Sequence, residues 1–352
     1  MPVISRRRRR TRWHHSSSAQ FAGLLAAACL SSAAGAAGVA PGGPDTVATD
    51  TPEVVVSAEQ PGPGLWKVSK GDHVLWVLGT VSALPKHMKW KTQEVEKALA
   101  SSQAILSPPG ATPDANIGFF SAVMLLPALL GIAKLPDGAT LDQVLPPPLY
   151  SRWTVQRQRY LGDSRSLERL RPFIAAYKLT EKAYERVGLT DDSEVTSTVR
   201  KLAKRYRLKR IDAEYHFFVR DPRGVIKTFK KSSMDESACF SYELDELERS
   251  LAQATFLARA WATGDVAALK SSLSDSEDPC IVMFSGSSLV KDLGVQDIDA
   301  KVNLTWIEAA EKALSDYQQS FALLQMSDVL LPSGVLPMLR AKGYSVLEPG
   351  AR

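Results

Sequence analysis

The apolar and polar positions divide the chain into three parts: a basic then apolar N-terminal segment, a turn-rich stretch, and a long region where strand-length apolar runs alternate with helical periodicity. In "LWKVSKGDHVLWVLGTV" two apolar runs flank Lys70-Gly71-Asp72, which predicts a β-hairpin whose second strand runs into Gly79-Thr80. Thr92 is placed to cap a helix carrying Val95, Ala98 and Leu99 on one face, and the run from Ala104 to Leu106 follows as a buried strand. That spacing predicts a βαβ unit with parallel strands and a right-handed crossover.

From Pro146 to Tyr206 three segments, "PPPLYSRWTVQRQRYLG", "RPFIAAYKLTEKAYERVG" and "DDSEVTSTVRKLAKRYRL", have helical periodicity and helix-boundary residues at their ends. A short strand is expected from Lys209 to Ala213, a helical region from about Asp245 to Leu273, and a further helix from near Lys301. The chain then closes with a strand over 320–325, a turn, a helix ended by Gly343 and a last strand from Tyr344 to Val346. No internal repeat stands out. This alternation predicts a single α/β (α+β) domain over 65–349 whose middle is a helical insertion. Residues 116–133, "NIGFFSAVMLLPALLGIA", are broken by Pro127 and Gly131 and read as a buried or partner-facing helix pair, with a lid over a pocket as the alternative.

Residues 1–40 change the charge argument. "MPVISRRRRRTRWHH" followed by "FAGLLAAACLSSAAGA" has the layout of a secretory signal peptide, with small residues for cleavage between Ala36 and Pro41. Six of the 43 basic residues lie in it, leaving 37 against 38 acidic ones. The sequence pI of about 9.0 therefore belongs to the leader. A nucleic-acid role loses its support. The remaining basic cluster, Arg200-Lys201, Lys204-Arg205, Arg207 and Lys209-Arg210, reads as a solvated helix face. The leader's apolar run is too short for a comfortable membrane span. Ser5-Arg6-Arg7 matches a twin-arginine signal only nonspecifically, and Cys29 sits in a poor lipoprotein box, so a lipid anchor is a secondary alternative. Residues 41–64, rich in Pro, Gly and Thr, read as a flexible lead-in with at most a short strand at 54–56. In an oxidising compartment Cys239 and Cys280 are expected to pair; two unpaired buried thiols are the alternative.

Ligands in open α/β sheets bind beyond the carboxyl ends of strands, which singles out Ser82, Asp212 to Glu214, and Asp328. "GLWKVSKGDHVLWVLGTVSALPKHMKW" and the closing "FALLQMSDVLLPSGVLPMLRAKGYSV" resemble the first and last signature blocks of the TraB/GumN/PrgY (Tiki-like) family. The resemblance runs from Leu65 to Val346. It implies a central mixed β-sheet flanked by helices, in the fold shared with erythromycin-esterase-like and ChaN-like proteins. It also implies a metalloprotease-like site built from two Gly-x-x-His motifs, acidic residues and an arginine, a set suited to Mn, Co or Zn.

Carried over residue by residue, that site is mostly lost. Gly79 is kept but Ser82 stands where histidine is expected, and the last motif reads Gln325-Met326-Ser327-Asp328. Ser107 takes an acidic position, Val302-Asn303 takes the place of Arg-Asn, and Glu214 is the one retained acid. Ser82 also lacks a Gly-x-Ser-x-Gly elbow. The expectation is a pseudoenzyme, an exported binding or scaffolding protein for a protein, peptide or cell-envelope partner, without cofactor. The alternative is a metal-dependent hydrolase or peptidase with a rebuilt site: a strand continued through His216 places Asp212, Glu214 and His216 on one face, near Asp328. His73 and His87 are weaker candidates, one exposed beside the hairpin and one able to swing into the old site. Trp66, Trp76 and Trp90 read as packing residues.

Overall fold

The computed structural model describes residues 62–114, 131–190, 194–231, 234–274, 278–285, 287, 290 and 293–350. The hairpin pairs β1 (Leu65–Lys70) with β2 (His73–Thr80), and Lys70 lies opposite His73. Gly71 makes the tight turn at φ +64°, a left-handed conformation that glycine adopts without steric cost. A short β3 (Leu84–Pro85) follows, then α1 (Gln93–Ser101), β4 (Ala104–Leu106) and β5 (Ala111–Asp114). Val95, Ala98 and Leu99 are buried as their spacing requires, although Thr92 occupies the cap position without a side-chain capping bond.

The middle of the chain is helical: α2 (Leu141–Val144), α3 (Pro147–Leu161), α4 (Pro172–Arg186), a two-residue β6 (Leu189–Thr190) and α5 (Glu194–Arg205). Next come β7 (Lys209–Ile211), β8 (Tyr215–Phe218), α6 (Pro222–Lys231), α7 (Ser237–Thr263), α8 (Val266–Ser271) and α9 (Pro279–Ser285). The chain ends with α10 (Ile298–Asp316), β9 (Gln319–Gln325), α11 (Met326–Leu330), α12 (Val335–Ala341) and β10 (Ser345–Leu347).

The main sheet has six strands in the order β10-β1-β2-β9-β4-β7, with β2, β9, β4 and β7 parallel and β1 antiparallel to its neighbours. This mixed α/β architecture with a helical insertion is the expected fold class. The βαβ strands β2 and β4 are parallel as predicted but not adjacent, because the last long strand, β9, inserts between them. β2 and β9 are apolar almost throughout since both are central strands of the sheet.

Two cores meet along α7. Phe240, Leu244, Leu247 and Ala254 pack with Trp153 of α3 and Leu179 of α4 in a helical core. Ala258, Ala260 and Trp261 continue into the core of the sheet, with Trp306, Phe321 and Leu75. At roughly 1.5 Å per residue the 27 residues of α7 span both. Gly264 ends the helix at φ +68°, where a Cβ would lie 3.1 Å from the Gly64 nitrogen. α7 begins eight residues earlier than the pattern suggested, and its first turn is tied to α9 by the Cys239–Cys280 disulfide, 41 residues apart in sequence. A crosslink over such a loop stabilises by about 3–4 kcal/mol in the chain-entropy picture.

The strand expected from Lys209 to Ala213 stops at Ile211, and it does not continue through His216. The Ser107 hydroxyl takes the Ala213 N–H at 2.8 Å, and the Asp212 carboxylate takes the Glu214 N–H at 3.1 Å, so the chain leaves the sheet. Tyr215 to Phe218 instead pair in parallel with β5 in a separate two-stranded sheet, an element absent from the sequence reading, as is α6. Most of the 116–133 segment lies outside the described residues; of its end, Ile132 is buried beside Phe173 and Phe229. The stretch at 54–56 also lies outside them. Among the described residues no helix is long and apolar enough to cross a membrane.

Candidate functional site

The carboxyl ends of the parallel strands open to one side of the sheet. Thr80 of β2 is level with Gln325 of β9, and Leu106 of β4 with Ile211 of β7. Every family-motif position that the sequence indicated lies at or just after one of these ends, or on α10.

At the end of β2 the Gly79 carbonyl accepts the Trp261 indole N–H at 2.7 Å. A Cβ on Gly79 would lie 2.7 Å from Met326 Cε and 3.4 Å from the Trp66 ring, so the methionine side chain occupies the space over the motif glycine. Thr80 donates to the Leu324 carbonyl, and Ser82 is then exposed, followed by buried Ala83 at φ +58°. The serine hydroxyl points into solvent at a loop tip and makes no hydrogen bond among the described residues.

Ser107, beyond β4, is 1% exposed. Its N–H donates to the Ile211 carbonyl, its hydroxyl accepts from Ala213, and its carbonyl accepts from the Trp306 indole at 3.0 Å. It stitches β4, β7 and α10 together, and its hydroxyl oxygen is taken by a backbone amide. This is a structural serine at the position where the resemblance implies an acidic residue.

The Asp212 and His216 side chains meet, whereas that of Glu214 takes other partners. Glu214 is buried, accepts a short hydrogen bond from Thr112, and lies 3.8 Å from the Arg210 guanidinium. The His216 ring is held between two carboxylates, with Nε2 3.2 Å from Asp212 and Nδ1 3.2 Å from Asp114. Both contacts can be donor bonds only when both nitrogens carry protons. The two aspartates accordingly raise the His216 pKa, outweighing the desolvation that lowers it. Asp114 and Thr112 were not anticipated because they sit in "ATPD", where a proline disguises a strand. Arg210 carried a signal in its four-residue spacing from Glu214.

Asn303 lies on α10 and donates to the Ser333 carbonyl at 3.4 Å; Val302 beside it is half-buried. Asp328 is in the first turn of α11, also half-buried. Burial pushes its carboxyl up to about 6, against a hydrogen bond with the Gln325 backbone that acts in the opposite direction. The loop after α11 folds tightly over it, and a Cβ on Gly334 would meet the Asp328 carbonyl oxygen at 2.4 Å.

His87 does not reach this edge: it is exposed at φ +61° and bonds Glu194 at 3.1 Å. His73 is half-buried rather than exposed, 3.9 Å from Asp72. Trp66 and Trp90 are buried, with Trp90 edge-on to Trp261 at 5.4 Å, and Trp76 donates to Gln319. On α5, Val195, Val199 and Leu202 face the core, leaving Lys201, Lys204 and Arg205 exposed to solvent.

The residues present do not fit the metal centre that the resemblance implies. The motif positions supply two serines, an asparagine, a salt-bridged glutamate and one aspartate. Among the described residues no group of three or more His, Cys, Asp or Glu side chains is spaced to hold a metal ion. The proposed set of Asp212, Glu214, His216 and Asp328 is thus not assembled; of the four side chains, only those of Asp212 and His216 are hydrogen-bonded to each other.

No curated protein and no solved structure matches the chain significantly. The family model described as TraB/PrgY/gumN matches residues 64–347, from the residue before β1 to the last residue of β10. The chain belongs to the TraB/PrgY/gumN family.

Proposed function

We propose that this chain is an exported, noncatalytic member of its family, a binding or scaffolding protein on a degenerate metallohydrolase fold. Residues 1–40 are removed as a signal peptide in this reading, 41–64 form the lead-in and 65–349 the folded domain. The observation that carries it is the chemistry at the strand ends. Met326 packs over the motif glycine, Ser82 replaces an imidazole, and the Ser107 hydroxyl is engaged by a backbone amide. A hydroxyl is a poor ligand for Mn, Co or Zn, and a thioether packed on Gly79 favours apolar contact there.

Export is supported by the basic then apolar leader and by the Cys239–Cys280 disulfide. Partners are expected at the protein, peptide or cell-envelope level. A protein that binds a metal only when folded gains stability in proportion to the logarithm of metal concentration. Titration with Mn, Co and Zn is expected to leave the melting temperature unchanged. A concentration-dependent rise with any of the three would instead support a metal-dependent hydrolase.

A further inference from the structure

On the other flank of α11 from the motif edge lies a cleft of about 400 Å³, within the usual range for small-molecule sites. Half-buried Val266 of α8, Leu330 of α11 and Val346 of β10, with exposed Ala267, give it an apolar side, behind which Trp66 and Val329 are buried. Three charged side chains complete the lining: Lys270 from α8, Arg340 from α12 and Glu348 after β10.

These charges do not neutralise one another. No ion pair joins Glu348 to either cation, and the Lys270 ammonium has neither an ion pair nor a hydrogen bond among the described residues. Arg340 donates through Nη2 to the Val346 carbonyl at 3.2 Å, which fixes the guanidinium beside the cleft while its other N–H groups remain available. Two cations against one carboxylate give the cleft a positive character.

We propose that this cleft binds an anionic molecule with an aliphatic body, of the medium-chain carboxylate class. The chain lies along Val266, Leu330 and Val346, and the carboxylate meets Lys270 and Arg340. Binding there bears on the motif edge through α11: Val329 and Leu330 line the cleft, while Met326 of the same helix packs over Gly79. The inference deepens the binding role proposed above and rests on it.

The test is calorimetric titration of the protein recovered after export with octanoate, octanol and octylamine, three probes of equal chain length. Octanoate is expected to saturate near one per chain and to bind about tenfold more tightly than octanol, the effect of one charge-assisted contact. Lys270→Glu should lose at least that preference. Ala267 is exposed, so Ala267→Trp should keep the fold, as judged by unchanged thermal unfolding, while its indole fills the cleft and abolishes binding. Equal binding of octanol, tighter binding of octylamine, or full binding by Ala267→Trp would overturn the assignment, as would no saturable octanoate binding. Metal content measured on the same samples separates the two failures: metal-free protein that ignores octanoate refutes the cleft alone, whereas stoichiometric metal refutes the noncatalytic reading.

Discussion

Glu236→Ala is expected to destabilise the protein by about 3–5 kcal/mol, the cost of leaving a buried charge without its partner. The Glu236 carboxylate takes the Arg171 Nε–H at 2.6 Å and the Phe173 N–H at 3.2 Å, at the start of α4. Both charged side chains are buried, 4% and 3% exposed, and the guanidinium lies 4.7 Å from the Phe229 ring centre. Burial raises the Glu236 pKa while Arg171 and the Phe173 N–H act to lower it, so the carboxylate and the guanidinium depend on each other in the folded chain. Removing one partner leaves Arg171 desolvated between α4, α6 and α7. Replacing both, as in Arg171→Met with Glu236→Leu, should recover much of the loss, since matched apolar side chains avoid the desolvation cost. Urea unfolding of the single and double variants measures both effects; single-variant losses below about 1 kcal/mol would show that the pair is not buried in this way.

Asp328→Asn is expected to stabilise the protein at neutral pH. The folded-state pKa of Asp328 is raised from 3.8 to about 6, so the folded chain holds this proton more tightly than the unfolded chain does. Stability therefore falls as pH rises from about 4 to about 6, and the full ionisation penalty, on the order of 2–3 kcal/mol, is present above that window. Asparagine keeps a neutral polar group in the same place and removes the penalty. The gain should be visible at about pH 7.5 and shrink towards zero below about pH 4, as Asp328 becomes protonated in both the folded and the unfolded chain. A metal-ligating Asp328 predicts the opposite outcome, because the bound ion would hold the carboxylate ionised and its loss would destabilise the loaded protein.

How much of this was readable in the sequence differs between fold and site. The hairpin at Gly71, the helix bearing Val95, Ala98 and Leu99, and the three helices between Pro147 and Arg205 follow from period and punctuation, which are local. The placement of β9 between β2 and β4 is not local: it depends on pairing residues more than two hundred positions apart, such as Trp76 with Phe321. The strand ends at Thr80 and Gln325 were legible in the same way. Their environments were not. Met326 covering Gly79, Ser107 joining two strands to α10, and Asp114 reaching His216 are all long-range contacts. Period-two alternation through His216 failed for a stated reason: side-chain oxygens of Ser107 and Asp212 captured the Ala213 and Glu214 amides that a continued ladder needs.

The central claim is that the motif edge no longer holds a catalytic metal, and metal content per chain tests it most directly. Protein recovered after export is incubated with Mn, Co and Zn, freed of excess and analysed for bound metal. The account predicts far less than one ion per chain, with no change on converting Glu214 and Asp328 to alanine. Near-stoichiometric metal that disappears in that double variant would contradict it and return the chain to the working hydrolases.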